Sequence, residues 1–88
     1  MEKIAKCESG GKQFYQDGTL VTNKNYRDGV HWSTDYGYFQ INDYYHLERA
    51  EELGLDIMTE QGNKDYALLL FDADGTSHWQ ASKGCWLQ

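Results

Sequence analysis

The sequence predicts an α+β domain: short helices around a small antiparallel sheet. Three observations predict it. Residues 2–9 carry a helical pattern that stops at Gly10-Gly11. From Lys12 to Asn42 the helical period disappears, and turn residues and β-formers replace it. Two further helical patterns follow, one from Asn42 or Asp43 to Leu53 and one from about Thr59 to Ala73. Helices and strands kept apart along the chain in this way argue for α+β rather than an alternating α/β fold. At 88 residues the chain makes a single domain, with no internal repeat or low-complexity tract to divide it.

Each element has a local reason. The first helix turns Ile4 and Ala5 inward, with Cys7 beside them. Asp17-Gly18 is a hairpin-type turn between Gln13-Phe14-Tyr15 and Thr19-Leu20-Val21-Thr22. Asn23 to Gly29 is polar and reads as a loop, and Tyr36 to Ile41 reads as a further strand. Asn42 or Asp43 caps the second helix, on which Leu47, Ala50 and Leu53 share a face, and Gly54 stops it. In the third helix Tyr66, Leu69, Leu70 and Ala73 form the buried side, the run Leu68–Phe71 reads as core, and Gly75 closes. Gly62, a weak helix former, falls early in that helix. The last segment, Ser77 to Trp86, brings Trp79, Cys85 and Trp86.

Composition narrows the function classes. Leu, Ile, Val and Phe supply 16 of the 88 residues, below the roughly 20% that, with high net charge, marks disorder. The net charge is −6. Against disorder stand the absence of proline and the presence of seven tyrosines and three tryptophans. Polar-tipped aromatics suit a wet concave surface as well as a core. The longest apolar run, Ala67–Phe71, is too short to span a membrane. An acidic chain is poorly suited to nucleic acid, so a neutral or polar partner is expected. Met1-Glu2-Lys3 leads into the first helix without an apolar leader, which reads as an excised mature domain.

Cys7 and Cys85 lie 78 positions apart. A disulfide between them would close nearly the whole chain, contributing ~4.5 kcal/mol by loop entropy. That is large beside the few kcal/mol that a core of this size supplies, and it implies an oxidising compartment. Two buried reduced thiols in a cytosolic protein are the alternative.

Glu8 follows Cys7 at the end of the first helix. The disulfide would draw it toward Trp79 and Trp86, which flank Cys85 in the sequence. A carboxyl group in such dry surroundings keeps its proton to higher pH, as a general acid must. Glycoside hydrolysis uses an acid of this kind, often with a second carboxylate. Asp35 is the candidate, although an aspartate in Ser33-Thr34-Asp35-Tyr36-Gly37 reads equally as a turn residue bonded to its own backbone.

The stretch Ser33-Thr34-Asp35-Tyr36-Gly37-Tyr38-Phe39-Gln40-Ile41-Asn42 resembles the S-T-D-Y-G-x-x-Q-I-N strand of the c-type lysozymes, and Glu8-Ser9 resembles the E-S that ends their catalytic helix. Ile4-Ala5-Lys6-Cys7-Glu8-Ser9-Gly10-Gly11, with Trp79 and Cys85 near the end, is similar to resuscitation-promoting factors and compact lytic transglycosylases. The resemblance implies a lysozyme-like fold with a substrate cleft between helices and sheet. It implies cleavage of the β-1,4 bond between N-acetylmuramic acid and N-acetylglucosamine in peptidoglycan. Carried over, Glu8 is the general acid and Asp35 the second carboxylate. Ser9, Tyr38, Gln40, Asn42 and Trp79 fall at the sugar chain. No cofactor or metal is implied, and the expected setting is a secreted, envelope-associated or phage-borne monomer. The chain departs from c-type lysozymes in its longer Glu8-to-Asp35 segment, its acidity and its lack of their other cysteines. A lytic transglycosylase would use Glu8 alone and leave 1,6-anhydromuramic ends; a module that only binds peptidoglycan is the non-enzymatic alternative.

Other signals point elsewhere. Asp72-Ala73-Asp74-Gly75 has its glycine too early for a calcium loop, and position twelve is Lys83. His31, His46 and His78 lack zinc-ligand spacing. His31-Trp32 is read as a loop pair that stacks on sugar or plugs a local gap.

Overall fold

The computed structural model describes residues 1–87. Helix α1 (Glu2–Ser9) leads to strands β1 (Thr22–Arg27), β2 (Val30–Tyr36) and β3 (Ile41–Asn42). Helices α2 (Asp43–Glu52) and α3 (Glu60–Asp74) follow, then a 3₁₀ helix (Ser77–Ser82) and the short α4 (Lys83–Trp86). This is the expected α+β arrangement of short helices around a small sheet. Its strand order is β1-β2-β3, antiparallel throughout.

Helix α1 carries Glu2 in its first turn and Lys6 in its last, each sign matched to the helix dipole. It closes at Gly10 in the left-handed region, where the Gly10 and Gly11 amides donate to the carbonyls of Lys6 and Ala5. The Asp17-Gly18 turn forms, but its flanks pair only through a single bridge, Phe14 to Leu20. The longer hairpin lies one segment later. Asn23–Arg27, expected as loop, is strand β1, and Trp32, expected in a loop, sits on β2. Asp28-Gly29 makes the connection, with φ of +52° and +79°, as a two-residue type I′ turn requires.

Tyr36 to Ile41 is not one strand: Tyr36 ends β2, Ile41 begins β3, and the two pair across the sheet. The chain turns between β2 and β3, with the Gln40 amide donating to the Gly37 carbonyl at 3.1 Å and Gln40 itself at φ +53°. Two buried amides hold this turn. Gln13 accepts from the Tyr38 amide (2.7 Å) and donates to the carbonyls of Ile57 and Met58 (3.1 Å each). Asn63 accepts from the Phe39 amide (2.8 Å) and donates to the carbonyls of Tyr36 and Ile57 (2.7 and 3.0 Å). Gly37 is required beneath Gln13: its φ is +74°, and a Cβ there would collide with the Gln13 amide. Gly62 likewise lets α3 meet the carbonyl of Asp56, which a Cβ would strike.

The core runs from Ile4 and Ala5 through Phe39, Ile41, Ala50 and Ile57 to Tyr66, Ala67, Leu70 and Trp79. The Trp79 indole donates to the Phe39 carbonyl at 3.0 Å. The expected core run of α3 is broken: Leu70 is 9% exposed, but Leu68, Leu69 and Phe71 are 50%, 46% and 39% exposed. Four consecutive helical residues span about one full turn, so they cannot all face inward. The inward stripe is Asn63, Tyr66, Ala67 and Leu70; Ala73 and, on the preceding segment, Leu53 are exposed as well. Cys7 and Cys85 form the disulfide, joining α1 to α4 with Cα atoms 6.0 Å apart. Among the described residues, no helix is long and apolar enough to cross a membrane.

Candidate active site

The end of α1, the face of the sheet and the 3₁₀ helix border a groove with Glu8 and Asp35 at its middle. Both carboxylates, with Gln40 and Ala81, line two adjoining cavities. One, of about 350 Å³, continues past Asn42, Tyr45, His46, His78 and Trp79. The other, of about 510 Å³, runs along Ser9, Tyr15, Asn23 and Asn25. A cleft that passes the acidic pair on both sides suits an extended ligand rather than a small enclosed one.

Glu8 is half-buried. Burial raises its carboxyl above the ordinary glutamate range; a hydrogen bond with Ser82 works against this, and the charge of Asp35 adds to the rise. Ser82 is held in turn by Trp86, whose indole donates to its hydroxyl at 3.0 Å. The two tryptophans therefore act differently. Trp79 lines the cavity beside Glu8 but is only 2% exposed, so it is a wall with little face left for stacking. Trp86 lies behind, against the disulfide, and reaches Glu8 through Ser82.

Asp35, on the central strand, has both oxygens engaged. Oδ1 accepts from the Asn42 amide at 2.9 Å and Oδ2 from the Asn25 amide at 3.2 Å. The same two amides reach the buried Ser33 hydroxyl, at 3.1 and 3.0 Å. Neighbouring strands β1 and β3 thus clamp the carboxylate from either side. Asn42 also caps α2, its Oδ1 accepting from the Tyr45 amide, so it fixes the helix and the carboxylate together.

The other expected residues divide. Ser9 lines the groove and ties α1 to the β2–β3 turn, its hydroxyl donating to the Tyr38 carbonyl at 2.8 Å. Gln40 lines both cavities and anchors to the Gly37 carbonyl at 3.0 Å. Tyr38 lies outside the groove: it is 8% exposed, its hydroxyl donates to Glu2 at 2.7 Å, and Lys64 sits over its ring.

Sequence reasoning missed Ser82 and Asn25, and it did not single out Tyr45 among the aromatic residues near the motif. Tyr45, 64% exposed, lines the groove and stands edge-on to Tyr44 and Trp32, and Arg27 lies 4.8 Å over the Trp32 ring. Exposed tyrosine in the helical first turn after the Gln40-Ile41-Asn42 stretch was the available signal. His46 and His78 also meet, 5.3 Å between ring centres, with His46 bonded to the Tyr66 hydroxyl and His78 to Asp74. Desolvation lowers the His46 pKa, and His78 and Arg49 lower it further. Among the described residues, no cluster of three or more His, Cys, Asp or Glu side chains is placed to hold a metal ion. Compared with protein-family models, curated proteins and solved structures, the chain finds no match.

Proposed function

We propose that the chain is a peptidoglycan-cleaving glycosidase, a lysozyme-type enzyme acting on the β-1,4 bond between N-acetylmuramic acid and N-acetylglucosamine. The observation that carries this reading is the pairing in one groove of a half-buried carboxyl group, whose pKa burial raises, with a carboxylate clamped by two amides. Such a pair separates the two roles that glycoside hydrolysis needs. The Glu8 carboxyl gives its proton to the glycosidic oxygen as the C–O bond breaks. Asp35 faces the positive charge that develops on the sugar, and the amides of Asn25 and Asn42 keep it in place. Glu8, now ionised, takes a proton from the incoming water and is restored. Groove length and the exposed Tyr45 suit a sugar chain, which binds by stacking and hydrogen bonds. With a net charge of −6, long-range attraction cannot draw the chain to an anionic cell wall. The disulfide is compatible with a secreted or envelope location, and the chain is proposed to act as a monomer.

One observation favours a second reading. Both oxygens of Asp35 are occupied by side-chain amides, which also suits a purely structural carboxylate. Glu8 would then work alone, and the muramoyl 6-hydroxyl would attack in place of water, as in a lytic transglycosylase. The test is turnover of purified peptidoglycan by the native chain and by Glu8→Gln. Loss of cleavage with retained glycan binding supports the proposal. Full activity of Glu8→Gln removes it, and binding without turnover by the native chain leaves a glycan-binding module.

A further inference from the structure

A third cavity, of about 340 Å³, opens from the groove through Tyr45, His46, Leu70 and His78. Its far wall joins α2 to the outer side of α3: Arg49 on one, Leu69 and Ala73 on the other. Most of its polar groups are already engaged. His46 is bonded to Tyr66, and the Asp74 carboxylate to His78 at 2.8 Å. The Arg49 guanidinium is different, since no carboxylate among the described residues forms an ion pair with it. Leu69, expected in the core, is 46% exposed at this cavity. Arg49 follows Asn42 by seven residues, roughly 10 Å along the axis of α2. The cavity therefore flanks the cleavage centre and suits a branch of the sugar chain rather than the sugar that reacts.

We infer that this cavity receives the peptide stem carried by muramoyl residues, with Arg49 holding a stem carboxylate and Leu69 and Ala73 packing against its small aliphatic side chains. The inference rests on the peptidoglycan reading of the groove. Charge complementarity selects the occupant. A planar guanidinium matches a carboxylate in two-pronged geometry, and in stem-bearing strands the lactyl carboxyl is tied up as an amide, so the glycan backbone offers no such group.

Binding tests it independently of turnover. Three soluble ligands are titrated calorimetrically into Glu8→Gln protein, with and without Arg49→Gln: stem-bearing glycan strands, strands stripped of stems by an amidase, and a chito-oligosaccharide. Arg49 is exposed, and circular dichroism checks that its replacement leaves the fold intact. Stem-bearing strands are expected to bind about tenfold tighter than stripped ones, as befits one charge-assisted contact. Arg49→Gln removes that margin and leaves the other two ligands unchanged. Equal affinity for stem-bearing and stripped strands, or a preference that survives Arg49→Gln, overturns the inference. So does loss of stripped strands on Arg49→Gln, which would make the lactyl carboxylate the occupant. An Arg49-dependent preference in a chain that cleaves no glycan upholds the cavity assignment and removes the enzymatic one.

Discussion

Replacing Gln13 with alanine removes the amide that fixes the β2–β3 turn. Gln13 is 1% exposed and makes three hydrogen bonds to main chain, at 2.7, 3.1 and 3.1 Å. The Tyr38 amide, buried behind it, loses its partner, which costs about 1–3 kcal/mol. The two carbonyls of Ile57 and Met58 lose about 1 kcal/mol each. Together these give a total of about 3–5 kcal/mol. At a typical unfolding entropy per residue, that lowers the melting temperature of an 88-residue domain by about 15–25 °C. Thermal unfolding followed by circular dichroism, with the disulfide intact, is the assay. A fall of under about 5 °C would mean that the turn is held without its buried amide. The same turn carries Gln40 and leads to Asn42, so glycan affinity should fall with stability.

Further predictions concern the carboxylates and the disulfide. Glu8 has a raised pKa in the folded state, so its protonated form is stabilising; that contribution is complete below the unfolded value and is lost as pH rises through the folded one. Glu8→Gln should therefore raise the melting temperature at pH 8 relative to the native chain and give no gain at pH 4; an equal effect at both would contradict a buried acid. Ser82→Ala removes the contact that favours ionised Glu8, so the alkaline limb of kcat/KM should move to higher pH, and a shift to lower pH would refute the assignment. Asp35→Asn should lower kcat at least about tenfold if the carboxylate stabilises the transition state; a negligible loss favours the transglycosylase route. Reduction of Cys7–Cys85 frees a 78-residue loop, which costs ~4.5 kcal/mol and about 20 °C or more in melting temperature. Unchanged melting with reductant would show that the link adds nothing to stability.

Local signals carried the helices. Gly10, Asn42, Thr59 and Gly75 stand at the ends they announce, because caps are decided by a residue's own backbone and side chain. Asp28-Gly29 is the same turn signal as Asp17-Gly18, but its flanks Thr22–Arg27 are polar, and strand pairing with β2 overrode that composition. Leu68–Phe71 misled because consecutive hydrophobicity was read without the helical period. Gln13 and Asn63 were invisible as core residues: a buried amide is stable only when main-chain groups distant in sequence satisfy it, and sequence spacing does not show them. For the groove, Glu8 and Asp35 line the same two cavities. Ser82, the Asn25 clamp and the His46–His78 contact join positions far apart along the chain, and only tertiary packing brings them together.

The most direct measurement is mass spectrometry of purified peptidoglycan digested by the native chain and by Glu8→Gln. Muropeptides with hydrated reducing ends are expected from the native chain and none from the variant. Products lighter by one water would replace hydrolysis with transglycosylation by the same Glu8. Glycan strands left whole by the native chain would contradict the central claim.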